Sequence, residues 1–538
     1  MRPALRLLAA PVSGALLAAA FPALDLGPLA LVALVPLLLV VETARPRQAA
    51  ALGYVAGLTF FGLHLLWIAQ FLSWTGAVAW LAWGALSAVQ AAAFAAFFAL
   101  VPATRPLGAW RLLVLPAAWA VLELLRAHHP IGGFPWGLLA LSQHDAGPLL
   151  PLARVVGGFG LAAVIVAVNL AVAFWVRALW SGAQEESRWR RLAPLVGLPL
   201  LVAGLLGARL VVPGPPAPSG PALDVVVVQA GLRGGHGLDQ GQTTEQVFDN
   251  HVRRTETLAL TPGDRPDLVV WGEGAADADP LSNPDRQAAV ARAAGAAGAP
   301  ILLGATTRVD QDHRATEGLL YTPEGQLADR YQKRRLVPFG EFVPLGSVLG
   351  RLIPATREGV PYDKVPGERL EPLLIDGVPV GPLICWESAY PGDARQLTRD
   401  GSQVLLIMTN NASFGTGAGP RQHLAAGQLR AVETGRTIVQ AAVTGISAVI
   451  DPGGRTSSET GLYQDTVIRV QAEPRGGTTP YVRWGRMLEA GLVGVTVGGL
   501  ALAGVLWWRR RARAGRPVPA VEPAPARWDV VPPVRRES

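Results

Sequence analysis

Cysteine occurs once in this chain of 538 residues, as Cys385 in "GPLICWES". A lone cysteine cannot close an intramolecular disulfide, so it is either a small buried hydrophobe or a reactive thiol. Lysine is nearly as rare: of 47 basic residues only Lys333 and Lys364 are lysines. Lysine differs from arginine in carrying a compact ammonium that can also lose its proton. Cys385 ends the apolar run "GPLI", Lys333 follows the hairpin pattern "LLYTPEGQLADRYQ", and Glu273 follows "DLVVWG". Singly, a strand-end Glu is usually solvated and a Cys after an apolar run is usually core. Together, a carboxylate, an amine and a thiol at strand ends fit a nucleophilic site. The Glu can take the thiol proton, and the ammonium can lower a thiol pKa of ~8.5 and then hold a developing oxyanion.

The segment carrying these groups reads as an α/β domain. Strand patterns cover 223–230, 267–271, 301–307, 318–322, 381–385, 403–408, 437–443 and 446–451, and helical patterns cover 241–259, 284–297, 390–399 and 420–434. Such alternation predicts a layered α/β fold with its site at strand ends. The Pro-rich stretch 212–222 is a semi-rigid spacer before that domain, which spans 223–487.

Half of all residues are hydrophobic and 16% are charged, and the apolar residues concentrate in 1–211 and 488–508. About 20 apolar residues span a bilayer, which predicts about eight spans near 4–22, 26–43, 49–70, 75–101, 107–126, 157–177, 192–211 and 488–508. Arginines cluster in alternate loops: Arg2 and Arg6, Arg45 and Arg47, Arg105 and Arg111, Arg188 to Arg191, and Arg509 to Arg511. The positive-inside rule then puts both termini in the cytoplasm and residues 212–487 outside. The net charge of +7 owes much to the tail 509–538, a membrane flank, and not to a nucleic-acid surface. The segment "HHPIGGFPWGLLALSQHDAGP" (128–148) is too rich in Gly, Pro and His for a simple span and predicts a re-entrant or interfacial loop under the outer domain. His128, His129 and His144 could ligate a metal, but no Cys or carboxylate cluster accompanies them.

Three motifs carry a family resemblance: "YQKRRLVPFGEFVP" (331–344), "ICWES" (384–388) and "NNASFGTGAGPRQH" (410–423). They resemble the nitrilase (carbon–nitrogen hydrolase) superfamily. The flanking spans resemble its membrane branch, the apolipoprotein N-acyltransferases. The resemblance implies an αββα sandwich, with Glu273 as general base, Lys333 as oxyanion stabiliser, Cys385 as nucleophile, and Glu341 and Glu387 in supporting roles. It implies ping-pong transfer of an acyl chain from a phospholipid, through a Cys385 thioester, to the α-amino group of a diacylglyceryl-modified N-terminal Cys on an apolipoprotein. That is the last step of lipoprotein maturation in a bacterial inner membrane, by a monomer without cofactor or metal. The backbone N–H of Trp386 would share the oxyanion with Lys333.

Two departures stand out. Gly272 precedes Glu273 where the family pattern has Pro, which predicts a looser turn, and the arm 231–241 lacks the family's Trp, leaving Leu232 or His236 as guesses. His423 is expected to pack or support, not to catalyse. Rival readings are a membrane-anchored amidase, which leaves some 200 apolar residues unexplained, and a transporter, whose spans would hold more ionisable residues than Glu123 and His64. The Pro- and Arg-rich tail reads as a disordered, positively charged flank rather than as a segment that docks a cytoplasmic partner.

Overall fold

Proline and glycine set the lengths of the N-terminal helices: α1 (Pro3–Ala19), α2 (Val35–Val41), α3 (Pro46–His64), α4 (Leu66–Phe71), α5 (Ala77–Ala103), α6 (Arg111–His128) and α7 (Ala153–Ser181). The computed structural model describes residues 3–181 except 146 and 148, then 203–204, 207, 210–230, 240–258, 265–346 except 278, 351, 356–357, 360–411 and 414–514. Among them four helices are long and apolar enough to cross a membrane: Ala77–Ala103, Arg105–His128, Leu150–Trp180 and Pro480–Ala512. They coincide with the expected spans 75–101, 107–126, 157–177 and 488–508. Shorter pieces occupy the other N-terminal candidates. In 26–43, a 3-10 turn at Gly27–Leu31 precedes the seven residues of α2, and each begins with a proline at its first turn. Proline starts helices better than it continues them. In 49–70 the helix breaks at Leu65, between α3 and α4. Most of 192–211, residues 231–239 of the arm, Arg188 to Arg191 and the tail beyond 514 lie outside the described residues.

Two ends of the helical bundle are distinguishable. At one end Arg111 pairs with Glu42 at 2.8 Å and Arg105 donates to the Ala44 carbonyl. The last helix reaches the same end, where Leu107, Val114 and Ala503 share a small apolar cluster. At the other end, between α6 and α7, the chain leaves helical geometry. Buried Arg126 collects the carbonyls of Phe134, Trp136 and Gly137, and Glu123 accepts the Leu139 N–H at 2.8 Å. Non-helical backbone at membrane depth needs such partners. The expected loop 128–148 is thus a folded plug, with Trp136, Leu138 and Leu139 nearly inaccessible. His144 contacts Gln428 and Asp25, and His128 the Leu124 carbonyl.

The domain beyond the spacer is two sheets face to face. The first contains β1 (Leu223–Ala230), β2 (Leu268–Ala276), β3 (Ile301–Arg308), β4 (His313–Tyr321), β5 (Leu327–Gln332) and the two-residue β6 (Asp363–Lys364). The second contains β7 (Leu373–Ile375), β8 (Val378–Ile384), β9 (Val404–Thr409), β10 (Thr437–Ala442), β11 (Ala448–Ile450) and β12 (Thr456–Ser457). Strand β13 (Asp465–Ala472), half-exposed and not singled out by the sequence pattern, pairs antiparallel along all of β1 and completes the first sheet. The strands β1-β2-β3 and β8-β9-β10 pair in parallel. Apolar side chains from both inner faces, among them Val225, Val227, Leu302, Leu383, Leu405 and Ile407, form the core between the sheets.

Helices α8 (Gln240–Glu256) and α9 (Pro284–Ala297) cover the first sheet, and α10 (Pro391–Arg399) and α11 (Gly419–Thr434) lie along the second. The last helix, α12 (Pro480–Ala514), runs without a break from this domain into the apolar bundle, so the expected boundary at 487/488 falls inside one helix.

Every residue of α11 except Arg421 is buried, because its outer face is covered by the helical bundle. Gln422 joins the two halves: its Oε1 accepts the Trp136 indole N–H at 2.6 Å, and its Nε2 donates to the carbonyls of Pro22 and His64. Gln422→Leu keeps the shape but leaves these buried groups unpaired, at a cost of about 1–3 kcal/mol for each. The purified variant should therefore show a lower thermal unfolding midpoint in detergent while still inserting in the membrane.

Candidate active site

The thiol stands at a sharp elbow. Strand β8 ends at Ile384, and Cys385 takes φ +50°, a region seldom used by residues other than glycine. A single 3-10 turn, Cys385–Ala389, follows. The Cys385 carbonyl accepts the Ser388 hydroxyl at 2.9 Å and lies 3.0 Å from His423 Nε2, which holds the strained residue in place. His423 is therefore a support of the elbow, as expected. The thiol itself is buried, with Glu273, Lys333 and Thr409 close enough to act on it electrostatically. Burial and the Glu273 charge push it up to about 12, with Lys333 opposing.

Glu273 sits where β2 loses register with β3, between Trp271 and Ala276. The expectation of a looser turn at Gly272 is corrected here. A Cβ at 272 would lie 2.8 Å from Val443 N and 2.9 Å from the Thr409 carbonyl, so glycine is what lets the two sheets touch at this point. A Cβ at Gly304 would come within 2.5 Å of Glu273 Cα. The general-base candidate is thus wedged between two glycines.

Lys333 follows β5, and its backbone N–H continues the pairing to the Thr316 carbonyl at 2.8 Å. Its side chain is 1% exposed, and Nζ lies 2.8 Å from Glu273 Oε1 and 2.9 Å from Glu341 Oε2. Burial opposes its charge, but the two carboxylates outweigh that and hold its pKa well above the usual lysine value. Glu341 also receives Lys364 Nζ at 3.2 Å, the Thr316 hydroxyl at 3.0 Å and the Val337 N–H at 2.9 Å. Although burial would raise its carboxyl, the two ammonium groups keep it well below the ordinary range. Both lysines of the chain therefore converge on one carboxylate. Lys364 stood out beforehand only by rarity, since nothing in its local sequence indicated a partner.

Glu387 is fully buried and accepts from Tyr331 Oη at 2.8 Å, Arg334 N at 2.7 Å and Ile384 N at 2.7 Å. It thereby ties the segment after Lys333 to the strand end before Cys385. Burial chiefly, with the Asp393 charge, raises its carboxyl to about 7 against these donors. Arg335 pairs with Asp393 at 2.9 Å and keeps the same segment against α10. Tyr331, Thr316, Thr409 and Asp393 were missed in the sequence, being common polar residues with no distinguishing pattern. The Trp386 side chain turns away from the thiol. It stacks on Trp136 with centroids 5.4 Å apart and planes 8° apart, linking the elbow to the apolar bundle.

The arrangement can do nucleophilic acyl chemistry: a shielded thiol within the electrostatic reach of a carboxylate and of a buried, charged ammonium. Two family models match the chain: the apolipoprotein N-acyltransferase N-terminal domain over residues 13–171 and carbon-nitrogen hydrolase over residues 285–477. A protein named apolipoprotein N-acyltransferase from Geobacter metallireducens is 30% identical over 520 residues, covering 94% of this chain and 96% of its own. One of the same name from Azotobacter vinelandii is 32% identical over 531 residues, covering 95% and 96%. Among solved structures, an amidase from Nesterenkonia sp. aligns with 49% of this chain and 94% of its own at 18% identity, with a TM-score of 0.34.

Two measurements test the geometry. With its pKa near 12, the resting thiol should be alkylated by iodoacetamide at a rate rising roughly tenfold per pH unit from pH 7 to 10. Levelling off near pH 8.5 would mean the thiol is unperturbed. Glu387→Gln turns an amide N–H₂ toward converging donors and should slow substrate turnover by roughly 10²-fold through displacement of the elbow, whereas Tyr331→Phe should cost far less.

Proposed function

We propose, on the premise that this chain belongs to the apolipoprotein N-acyltransferase family, that Cys385, Glu273 and Lys333 carry its acyl transfer. The chain is an acyltransferase of lipoprotein maturation and a bacterial membrane enzyme. The observation that carries the residue assignment is the buried Lys333 ammonium, shared between Glu273 and Glu341 beside the Cys385 thiol.

In the first half-reaction the Cys385 sulfur attacks an ester carbonyl of a phospholipid while Glu273 takes the thiol proton. A thiol of such high pKa is not a standing thiolate, so proton removal must accompany attack. The developing oxyanion is held by Lys333 Nζ and the backbone N–H of Trp386; each such donor is worth on the order of 10²-fold or more in rate. The tetrahedral intermediate collapses with loss of the lysophospholipid alkoxide, which Glu273 protonates. In the second half the α-amino group of the diacylglyceryl-modified N-terminal Cys attacks the thioester, and Glu273 accepts an amine proton. Glu341 and Glu387 orient: Glu341 balances and aims Lys333, and Glu387 holds the elbow.

The topology we assign has both termini in the cytoplasm and the sandwich domain outside. It is supported by the loops of Glu42 to Ala44 and Arg105 to Arg111 sharing one bundle end with the last helix, opposite the plug 128–148. Eight spans remain our count, with 1–211 the membrane domain, 223–487 catalytic, 488–508 the final span and 509–538 the cytoplasmic tail of a monomer. Transfer to water, as by a membrane-anchored amidase, would leave the packing of the helical bundle against the nucleophile's turn without a purpose.

Incubating the purified enzyme with labelled phosphatidylethanolamine should place a hydroxylamine-labile acyl group on Cys385. Cys385→Ala and Lys333→Arg should both insert in the membrane and both be inactive, since a guanidinium keeps the charge but not the ammonium's compact shape. Normal N-acylation by either variant would sink the assignment.

A further inference from the structure

Asp277 lies just beyond β2, four residues after Glu273, and is exposed. One of its oxygens accepts the Thr306 hydroxyl at 2.9 Å. The other accepts no hydrogen bond from a described residue, and no cation among the described residues lies within ion-pair distance. Yet this carboxylate is close to the reacting groups. Gly274, next to Glu273, has φ +79°, and a Cβ there would lie 3.3 Å from Asp277 Oδ2 and 3.0 Å from Asn410 Nδ2. Asn410 in turn follows Thr409, one of the groups that act on the Cys385 thiol. Asp277 and Asn410 therefore form a polar wall, one from each sheet, over the backbone adjoining the base.

The electrostatics there favour an incoming cation. Nearby protein desolvates the Asp277 carboxyl and the charges of Glu273 and Glu341 raise its pKa further, while Lys364, already committed to Glu341, pulls it down. Bringing a positive charge to this wall relieves repulsion among three carboxylates. Neither the thiol nor the reacting ester supplies such a charge, and among phospholipids only those with an amine headgroup carry one. A free α-amino group does, being largely protonated near neutral pH with a pKa of about 8.

We propose that Asp277 is a positioning residue for the acceptor: it receives the α-ammonium of the incoming N-terminal cysteine and delivers it beside Glu273 for attack on the thioester. This inference rests on the acyl-transfer reading above. Of the three ammonium protons, one stays on the product amide, one returns to the Cys385 sulfur and one leaves to water. The C–N bond forms as the C–S bond breaks, and Glu273 relays the protons.

Asp277→Asn removes the charge but keeps an oxygen for Thr306, so a purely structural role would survive it. The full-length enzyme would be assayed in micelles with phosphatidylglycerol, a donor whose headgroup carries no cation, and a synthetic diacylglyceryl-cysteinyl peptide bearing a free α-amino group. Thioester formation without peptide serves as the internal reference. The expected result is a KM for the peptide raised about tenfold, the order of one lost charged contact, with thioester formation within twofold of the unsubstituted enzyme. Asp277→Glu should recover part of the loss, and the KM difference should shrink with added salt. An unchanged peptide KM would overturn the inference, and so would a parallel slowing of thioester formation. If the unsubstituted enzyme forms no thioester, the acyl-transfer reading itself fails, and that result is read before any peptide is added.

Discussion

The buried ammonium of Lys333 organises the site of this domain. The Lys333 ammonium has almost no contact with water, and burying such a charge costs several kcal/mol unless carboxylates and hydrogen bonds compensate it. Glu273 and Glu341 compensate it from opposite sides, and each must then be placed to within hydrogen-bond distance. Glu341 would overcharge the pair without Lys364, which with Thr316 and the Val337 N–H fixes its remaining oxygen positions. The charge balance thus reaches through β4, the loop 334–343 and β6, elements that share little apolar packing. This explains why a two-residue strand such as β6 persists: it delivers the second lysine.

The thiol is positioned by strain and by contact between sheets. Cys385 pays for its left-handed conformation through the hydrogen bonds on its carbonyl and through Glu387, whose oxygens grip Ile384 N behind it and Arg334 N across from it. Glycine at 272 removes a side chain that would hold the sheets apart, and glycine at 304 leaves room for Glu273 on the neighbouring strand, so that Glu273 faces the thiol from the opposite sheet. Proximity of this kind substitutes for a depressed thiol pKa. On the proposed mechanism, the thiol stays protonated until substrate and base are aligned.

Rarity and strand-end position made Cys385, Lys333 and Glu273 legible in the sequence, because each closes a short apolar run. Most strands and the four helices α8 to α11 were legible for the same reason, through β-branched runs and amphipathic stretches. Glu341 and Glu387 were reached only through resemblance; each stands in a loop or turn, where periodicity carries no information. Strand β13 escaped notice because its exposed outer residues interrupt the apolar alternation, and β6 and β7 because two or three residues make no pattern. In the apolar half, composition identified long helices well, but Pro28, Pro36 and the break at Leu65 shortened others in ways a hydropathy window averages out. Gly272 is the instructive misreading: locally a glycine suggests slack, whereas its neighbours in space, Val443 and Thr409, make it the tightest point between the sheets.

The two halves of the chain meet in a manner that bears on the chemistry. Trp386 contributes the proposed oxyanion N–H, and its ring is stacked on Trp136 of the plug, which also stacks on His423 and bonds Gln422. The peptide orientation at 386 is therefore set jointly by the elbow and by the apolar bundle. Arg126 and Glu123 hold the plug from beneath, so the ionisable residues of α6 act on the site through backbone geometry and not through charge. A soluble hydrolase could orient the same amide by its own sheet alone. Here the amide is clamped by the part of the molecule that contacts lipid, which couples the catalytic geometry to correct seating of the domain on its membrane half.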